Sequence, residues 1–170
     1  MILFIAGCSH TGKTALAQKL MEKYHFPYFS LDILKMGLIR SKKITATPLE
    51  DEKLTTEMWP IVVQMVKTAI ENEQNMIIEG CYIPFHWKNS FEKDDLKHIR
   101  YYCIIMTQHY IHTHFQDIII YANIIEKRID DSYCTKQMLL KENALNLALC
   151  QKYHLDYILI DKTYHVDITL

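Results

Sequence analysis

The segment Gly7-Cys8-Ser9-His10-Thr11-Gly12-Lys13-Thr14 constrains this chain more than any other, because it fits the spacing G-x-x-x-x-G-K-[ST] at every fixed position. Glycine at 7 and 12 lets the backbone turn tightly and approach an anion with no Cβ in the way. Successive N–H groups then form a concavity at a helix N-terminus, where the helix dipole also favours negative charge. Lys13 can reach the outer phosphates of a nucleotide, and the Thr14 hydroxyl can ligate magnesium. Four fixed positions alone invite chance matches. Here the flanks agree with the mechanism: the apolar run Met1–Ala6 reads as a strand buried on both faces, and Leu16, Leu20 and Met21 give the following helix, about 13–24, an inward stripe. His10 is expected to point to solvent and is given no chemistry.

The same periodicities continue along the chain. Phe26–Ser30 reads as a second strand, with Asp32 at its end, where a helix begins that stops near Gly37 or Arg40. Thr47-Pro48-Leu49-Glu50 carries a helix-start pattern, and the helical region it opens extends to about Asn72, with Pro60 expected to kink or restart it. Met76–Glu79 and Arg100–Met106 read as strands three and four. The stretch 107–132 is polar and His-rich, a helix follows from about Thr135 to Tyr153, and Tyr157–Ile160 is the last strand. Strands alternating with helices predict an α/β fold: one domain over residues 1–170, a parallel sheet with helices on both faces, and a small lid at about 107–134.

In such sheets ligands gather outside the carboxyl ends of the strands. Asp32 sits at one such end, where it can orient a hydroxyl and take its proton, or cap its helix. Glu79-Gly80 closes the third strand, placing an acid where a magnesium-bound water needs a partner, with Gly80 allowing a sharp exit. Lys35, Arg40, Lys42 and Lys43 can hold an anionic acceptor or form a solvated helix face. Trp59, Tyr82, Phe85 and Trp87 can line a pocket, although aromatics at such positions more commonly build core. Lys127-Arg128 falls in the lid region, and Arg128 is the candidate for a cation closing over transferring phosphate; the competing reading is a solvated surface helix. His109, His112 and His114 are too unevenly spaced to share one helical face, which argues against a metal site.

Composition sets the outer bounds. A formal net charge of -1 gives no global field for nucleic acid or an anionic membrane, so phosphate recognition has to be local. The apolar start is too short for a signal-peptide core or a membrane span. Five scattered cysteines without a CxxC pair favour free thiols in a reducing cytoplasm.

Taken together, the glycine-rich loop, Asp32, Glu79-Gly80 and a basic lid residue resemble the P-loop kinases related to adenylate, shikimate and gluconate kinases. The run Ile77–Pro84 is similar to the matching stretch of 2-phosphoglycerate kinase, and a related acid-glycine pair occurs in zeta-toxin-type kinases. The resemblance implies a three-layer P-loop NTPase fold with a five-stranded sheet in the order 2-3-1-4-5. It implies ATP and Mg2+ as cofactors, with phosphates on residues 7–14, metal at Thr14 and Glu79, and adenine near Asp161–Thr163. It also assigns Lys13, Asp32 and Arg128 to catalysis and Asp32, Lys35, Arg40, Gly80 and Tyr82 to the acceptor. The chain departs from classical adenylate kinases, which clamp two nucleotides with several arginines. It has three arginines, Arg40, Arg100 and Arg128, and lacks the D-G-[FY]-P-R signature.

A kinase acting on a small hydroxyl compound, anionic or neutral, is therefore the expected activity, in a cytoplasmic monomer or homodimer. The competing expectation is an NTP-binding switch or slow NTPase without a small-molecule acceptor, in which Asp32 is only a helix cap.

Overall fold

A computed structural model describes residues 1–122, 125 and 134–170. The elements run β1 (Ile2–Ala6), α1 (Lys13–Tyr24), β2 (Tyr28–Ser30), α2 (Leu31–Arg40), α3 (Asp51–Glu71), β3 (Met76–Gly80), a 3-10 turn (Trp87–Ser90), α4 (Lys93–Leu96), β4 (Ile99–Met106), α5 (Gln108–Tyr121), α6 (Lys136–Lys152) and β5 (Tyr157–Ile160). The strands form one parallel sheet in the order β2-β3-β1-β4-β5, as the resemblance implies.

β1 lies at the centre, and every residue from Ile2 to Ala6 is buried. Its side chains alternate between faces. Ile2, Phe4 and Ala6 join an apolar cluster with Met58, Val62 and Val66 of α3, while Leu3 and Ile5 join a second cluster with Leu16 and Leu20 of α1 and Ile111 of α5. Helices thus cover both faces of the sheet. On the α3 side the rings of Trp59, Trp87 and Phe91 surround Phe4, with centroids 5.8, 5.4 and 6.4 Å away. Trp59, Tyr82 and Trp87 are buried core, and Phe85 packs against them, so aromatic bulk is spent on folding.

Several boundaries differ from the sequence-based expectations, each for a local reason. Strand β2 is confined to Tyr28–Ser30, the residues that pair with Ile77, Ile78 and Glu79. Thr47–Glu50 forms a turn and α3 starts only at Asp51, because the preceding segment is tied to the helix by a side chain: the Glu57 carboxylate accepts hydrogen bonds from Thr45 N (2.7 Å), Thr45 Oγ1 (2.6 Å) and Ala46 N (3.2 Å). Pro60 does not restart the helix; α3 runs through it from Asp51 to Glu71.

The largest departure is α5, a helix inside the stretch read as a polar, His-rich segment. The Thr107 side chain caps it by accepting from Tyr110 N at 3.1 Å, and Tyr110, Ile111 and Ile118 are its buried residues. Its backbone leaves helical geometry at His114 (φ -118, ψ 19). Helix α6 agrees with expectation: Thr135 caps it by accepting from Met138 N at 3.1 Å. Among the described residues no helix is long and apolar enough to cross a membrane.

Candidate active site

The glycine-rich loop leaves the end of β1 and feeds into α1, at the edge where β3 and β4 also end. Gly12 is where glycine is indispensable. Its φ of 81 lies in the left-handed region, and a Cβ there would sit 1.9 Å from the hydroxyl of Tyr164. That hydroxyl donates to Thr11 O at 3.2 Å, so the C-terminal segment lies directly against the loop. His10 also adopts positive φ (67) and is buried, contrary to its expected solvent-facing position; it lines the cavity described below.

Lys13 is 6% exposed, and its Nζ donates to Cys8 O at 2.9 Å, an acceptor shared with Thr11 Oγ1 at 2.9 Å. Burial by itself pulls the ammonium's pKa down, but the acidic groups of Cys81, Glu79, Cys8 and Asp32 outweigh it and hold the pKa above the usual lysine value. A charged lysine is thereby kept beside the loop's amides, as a polyphosphate requires. Ser9 and Gly7 complete the loop, Gly7 with φ 143.

Glu79 occupies the second-last position of β3, flanked in register by Ile5 on β1 and Ser30 on β2. It is 1% exposed, and its Oε1 accepts from Thr14 Oγ1 at 3.3 Å. Burial pushes its carboxyl pKa up, against the pull of Lys13 and of hydrogen bonds from Ser30 and Thr14. Two hard oxygen donors next to the loop lysine, one of them an ionisable group costly to bury, fit a magnesium ion. Gly80 follows with φ 157, where a Cβ would fall 2.7 Å from Leu31 Cβ; the absence of a side chain lets β3 end flush against α2.

The raised carboxyl pKa has a testable consequence. A carboxyl whose folded pKa lies above its unfolded one stabilises the fold fully below the ordinary carboxylate range and loses that contribution as pH rises through the folded value. Glu79→Gln is therefore expected to raise the melting temperature of the nucleotide-free protein at neutral pH by about 2–4 °C, the shift that ~1 kcal/mol produces in a domain of this size. The difference should vanish at pH 4. Thermal scans at both pH values check this; an unchanged or lower melting temperature at neutral pH would contradict it.

On the other side of the loop, Asp32 is in the first turn of α2 and forms an ion pair with Lys35. It lies within electrostatic reach of both Lys13 and Glu79. Lys35 also donates to Tyr82 Oη at 3.0 Å, and Tyr82 in turn donates to Asp51 Oδ1 at 3.3 Å at the start of α3. Lys35, Tyr82 and Gly80 are thus gathered around Asp32. Arg40 is not: it sits at the opposite end of α2, roughly 12 Å along the axis from Asp32 at about 1.5 Å per residue, and it is exposed together with Lys42 and Lys43. Arg128 lies outside the described residues.

A cavity of about 490 Å3 opens from Gly12, Lys13 and Thr14 toward Tyr110 and His114 of α5 and Tyr164. Tyr110 and His114 stack at 4.6 Å and 24°, and His114 Nδ1 lies 3.1 Å from Asp117 Oδ2. The volume and the aromatic walls suit a nucleoside. Thr163 lines the cavity, while Asp161 accepts from Thr107 Oγ1 at 2.8 Å and ties the ends of β4 and β5 together. Tyr164, Tyr110 and His114 escaped sequence reasoning; a lone tyrosine in a tail and a helix hidden in polar composition carry no motif.

No protein-family model and no curated protein matches this sequence. Solved structures do match in fold. The chain is similar to shikimate kinase from Bacteroides thetaiotaomicron (15% identity, TM-score 0.54, covering 95% of this chain and 86% of that one). It is also similar to deoxyadenosine kinase from M. mycoides, solved with dCMP and dCDP (13% identity, TM-score 0.54, covering 95% and 90%). A third similar structure is a protein from Chloroflexus aurantiacus (14% identity, TM-score 0.53, covering 98% and 91%). What these likenesses share with this chain is the fold, the three-layer P-loop fold of such kinases, with a parallel sheet in the order β2-β3-β1-β4-β5 and helices on both faces.

Proposed function

We propose that this chain is a kinase that transfers the γ-phosphate of ATP to a hydroxyl of a small metabolite. The observation that carries the reading is the convergence of Asp32 with Lys13 and Glu79 at one edge of the sheet. A nucleotide switch needs the loop lysine and a metal partner. It does not need a further carboxylate, half-buried and held by a lysine, on the side where an acceptor would enter. The kinase fold of the similar structures supports the same reading.

Each group has a defined task in that reaction. The loop amides and Lys13 bind and neutralise the phosphates, and the nucleoside lies in the cavity between α5 and Tyr164. Thr14 and Glu79 would hold a magnesium ion, which would supply positive charge to offset that of the phosphates. Asp32 aligns the acceptor hydroxyl. The hydroxyl oxygen bonds to the γ-phosphorus as the bond from that phosphorus to its bridging oxygen breaks. ADP leaves with the electron pair, and the hydroxyl proton passes to Asp32. Arg128 is the proposed lid cation.

The sequence resemblance to 2-phosphoglycerate kinase favours an anionic acceptor, whereas the exposed position of Arg40, Lys42 and Lys43 at the far end of α2 removes the cations that would hold one. The test of the kinase reading is ADP release from Mg-ATP against a panel of hydroxyl compounds. Release stimulated at least ~10-fold by some acceptor, with phosphate appearing on it, is expected. Release independent of every acceptor would favour a slow NTPase instead.

A further inference from the structure

We infer that a cavity at the amino end of β4 docks an extended acidic segment of a partner protein, which pairs as an added strand with the free edge of β4 at residues 99–101. The cavity holds about 470 Å3 and is walled by Trp87 and Lys88 of the 3-10 turn, by the first residues of β4 and by residues 154–156 ahead of β5. It lies at the opposite end of the sheet from the phosphate loop. From Ile99 to Met106, the carboxyl end of β4, is roughly 20 Å at about 3.3 Å per residue. The inference therefore stands apart from the kinase reading.

The edge is open because β5 starts late. On one side β1 pairs with β4 from Ile99 to Cys103, whereas on the other β5 pairs with it only from Cys103 onward. Cys103 N donates to Asp156 O at 3.1 Å, on the β5 side, and His98 O accepts from Ile2 N at 2.7 Å, on the β1 side. Backbone polar groups alternate sides along a strand. Those of Ile99 and Tyr101 therefore face the β5 side, where both residues line the cavity and no strand meets them. An extended peptide laid along this edge supplies the missing ladder partners.

Charge decides which peptide. Lys88 and Arg100, with His154 beside them, stand around the cavity against one acid, Asp156. Among the described residues neither Lys88 nor Arg100 takes part in an ion pair. Acids of the adjoining α4 are already engaged, Asp94 by Lys97 Nζ at 2.5 Å and Asp95 by Glu92 N at 3.3 Å. Trp87 adds a donor: it is 2% exposed, and its Nε1–H has no hydrogen-bond partner among the described residues. Buried donors are normally paired, and a carbonyl or carboxylate of the segment would meet this one. A small anion would answer the cations but leave the backbone edge unpaired.

The experiment selects short randomised peptides, displayed on phage, against the intact protein, and then titrates an enriched peptide. Enrichment of sequences carrying aspartate or glutamate among β-branched or aromatic residues is expected. Arg100→Glu and Lys88→Glu should each weaken that peptide at least ~10-fold, with Mg-ATP affinity unchanged within about twofold. Methylating the peptide's backbone nitrogens should cost a similar factor, because it blocks strand pairing and leaves the charge alone. In the complex, the amides of Ile99 and Tyr101 should exchange with deuterium at least ~10-fold more slowly. The inference is overturned by no enriched peptide, a basic or uncharged consensus, or indifference to methylation. Succinate competing as tightly as the peptide overturns it too, and marks a small-anion site instead. Melting curves of both variants, whose side chains are exposed in the parent, separate misfolding from lost docking.

Discussion

Lys13→Ala is expected to reduce phosphate transfer by roughly 10²–10³ or more, because it deletes a preorganised cation from a site where charge develops at the γ-phosphate. The side chain is buried, and its ammonium is held charged by the acidic groups around it. It donates to Cys8 O within the loop itself, so it needs only a short swing to meet an incoming phosphate. Removing it leaves Glu79 and Asp32 with no buried cation between them. Nucleotide affinity should therefore fall along with the rate, and added magnesium should recover little of either. Steady-state rates and nucleotide titrations on the same variant check both. Full activity would show that the loop is not used for phosphate.

Asp32→Asn is expected to lower kcat by about 10²–10⁴ with little change in the KM for Mg-ATP, the loss typical of a positioned proton acceptor. The amide keeps the size of the carboxylate and can still accept one hydrogen bond from Lys35, so the start of α2 should survive. What disappears is a group able to take the hydroxyl proton. Ser30, not Asp32, is the N-cap of α2, so the cap reading of Asp32 is not met; if the carboxylate served only to complement the dipole of that first turn, asparagine would leave kcat unchanged. Comparing kcat with melting temperature for this one variant separates the two roles.

Much of the architecture could be read directly from local pattern. The run Ile2–Ala6 is apolar without interruption, and only a central parallel strand is buried on both faces, so β1 was unambiguous. The loop declared itself through spacing, and Glu79 and Asp32 through their positions at strand ends. The sheet order came with the family resemblance, since crossover direction leaves no trace in any one segment. α5 is hard to read from the sequence because its buried residues, Tyr110, Ile111 and Ile118, are sparse among histidines and polar residues. The delayed start of α3 is not legible in the sequence because Glu57, well downstream, ties Thr45 and Ala46 to the helix.

The site was legible where one residue type at one spacing carries the chemistry, and illegible where distant segments converge. Lys35, Arg40, Lys42 and Lys43 look like one basic group in sequence, yet α2 carries Lys35 to Asp32 and Tyr82 while Arg40 ends in solvent. A buried Asn143 ties α6 to the end of β4, and Tyr164 reaches the loop because the C-terminal segment returns along α1, where Lys19 and Asp167 pair at 3.4 Å. None of these contacts has a period or a motif, since each depends on the assembled fold.

The central claim is that the amides of residues 7–14, backed by Lys13, grip a nucleotide polyphosphate. Calorimetric titration of the purified protein with Mg-ATP and Mg-GTP tests it most directly. Saturable binding at one site per chain, weakened at least ~10-fold by Lys13→Ala, is the predicted result. No heat with either nucleotide, or an affinity untouched by that substitution, would contradict it.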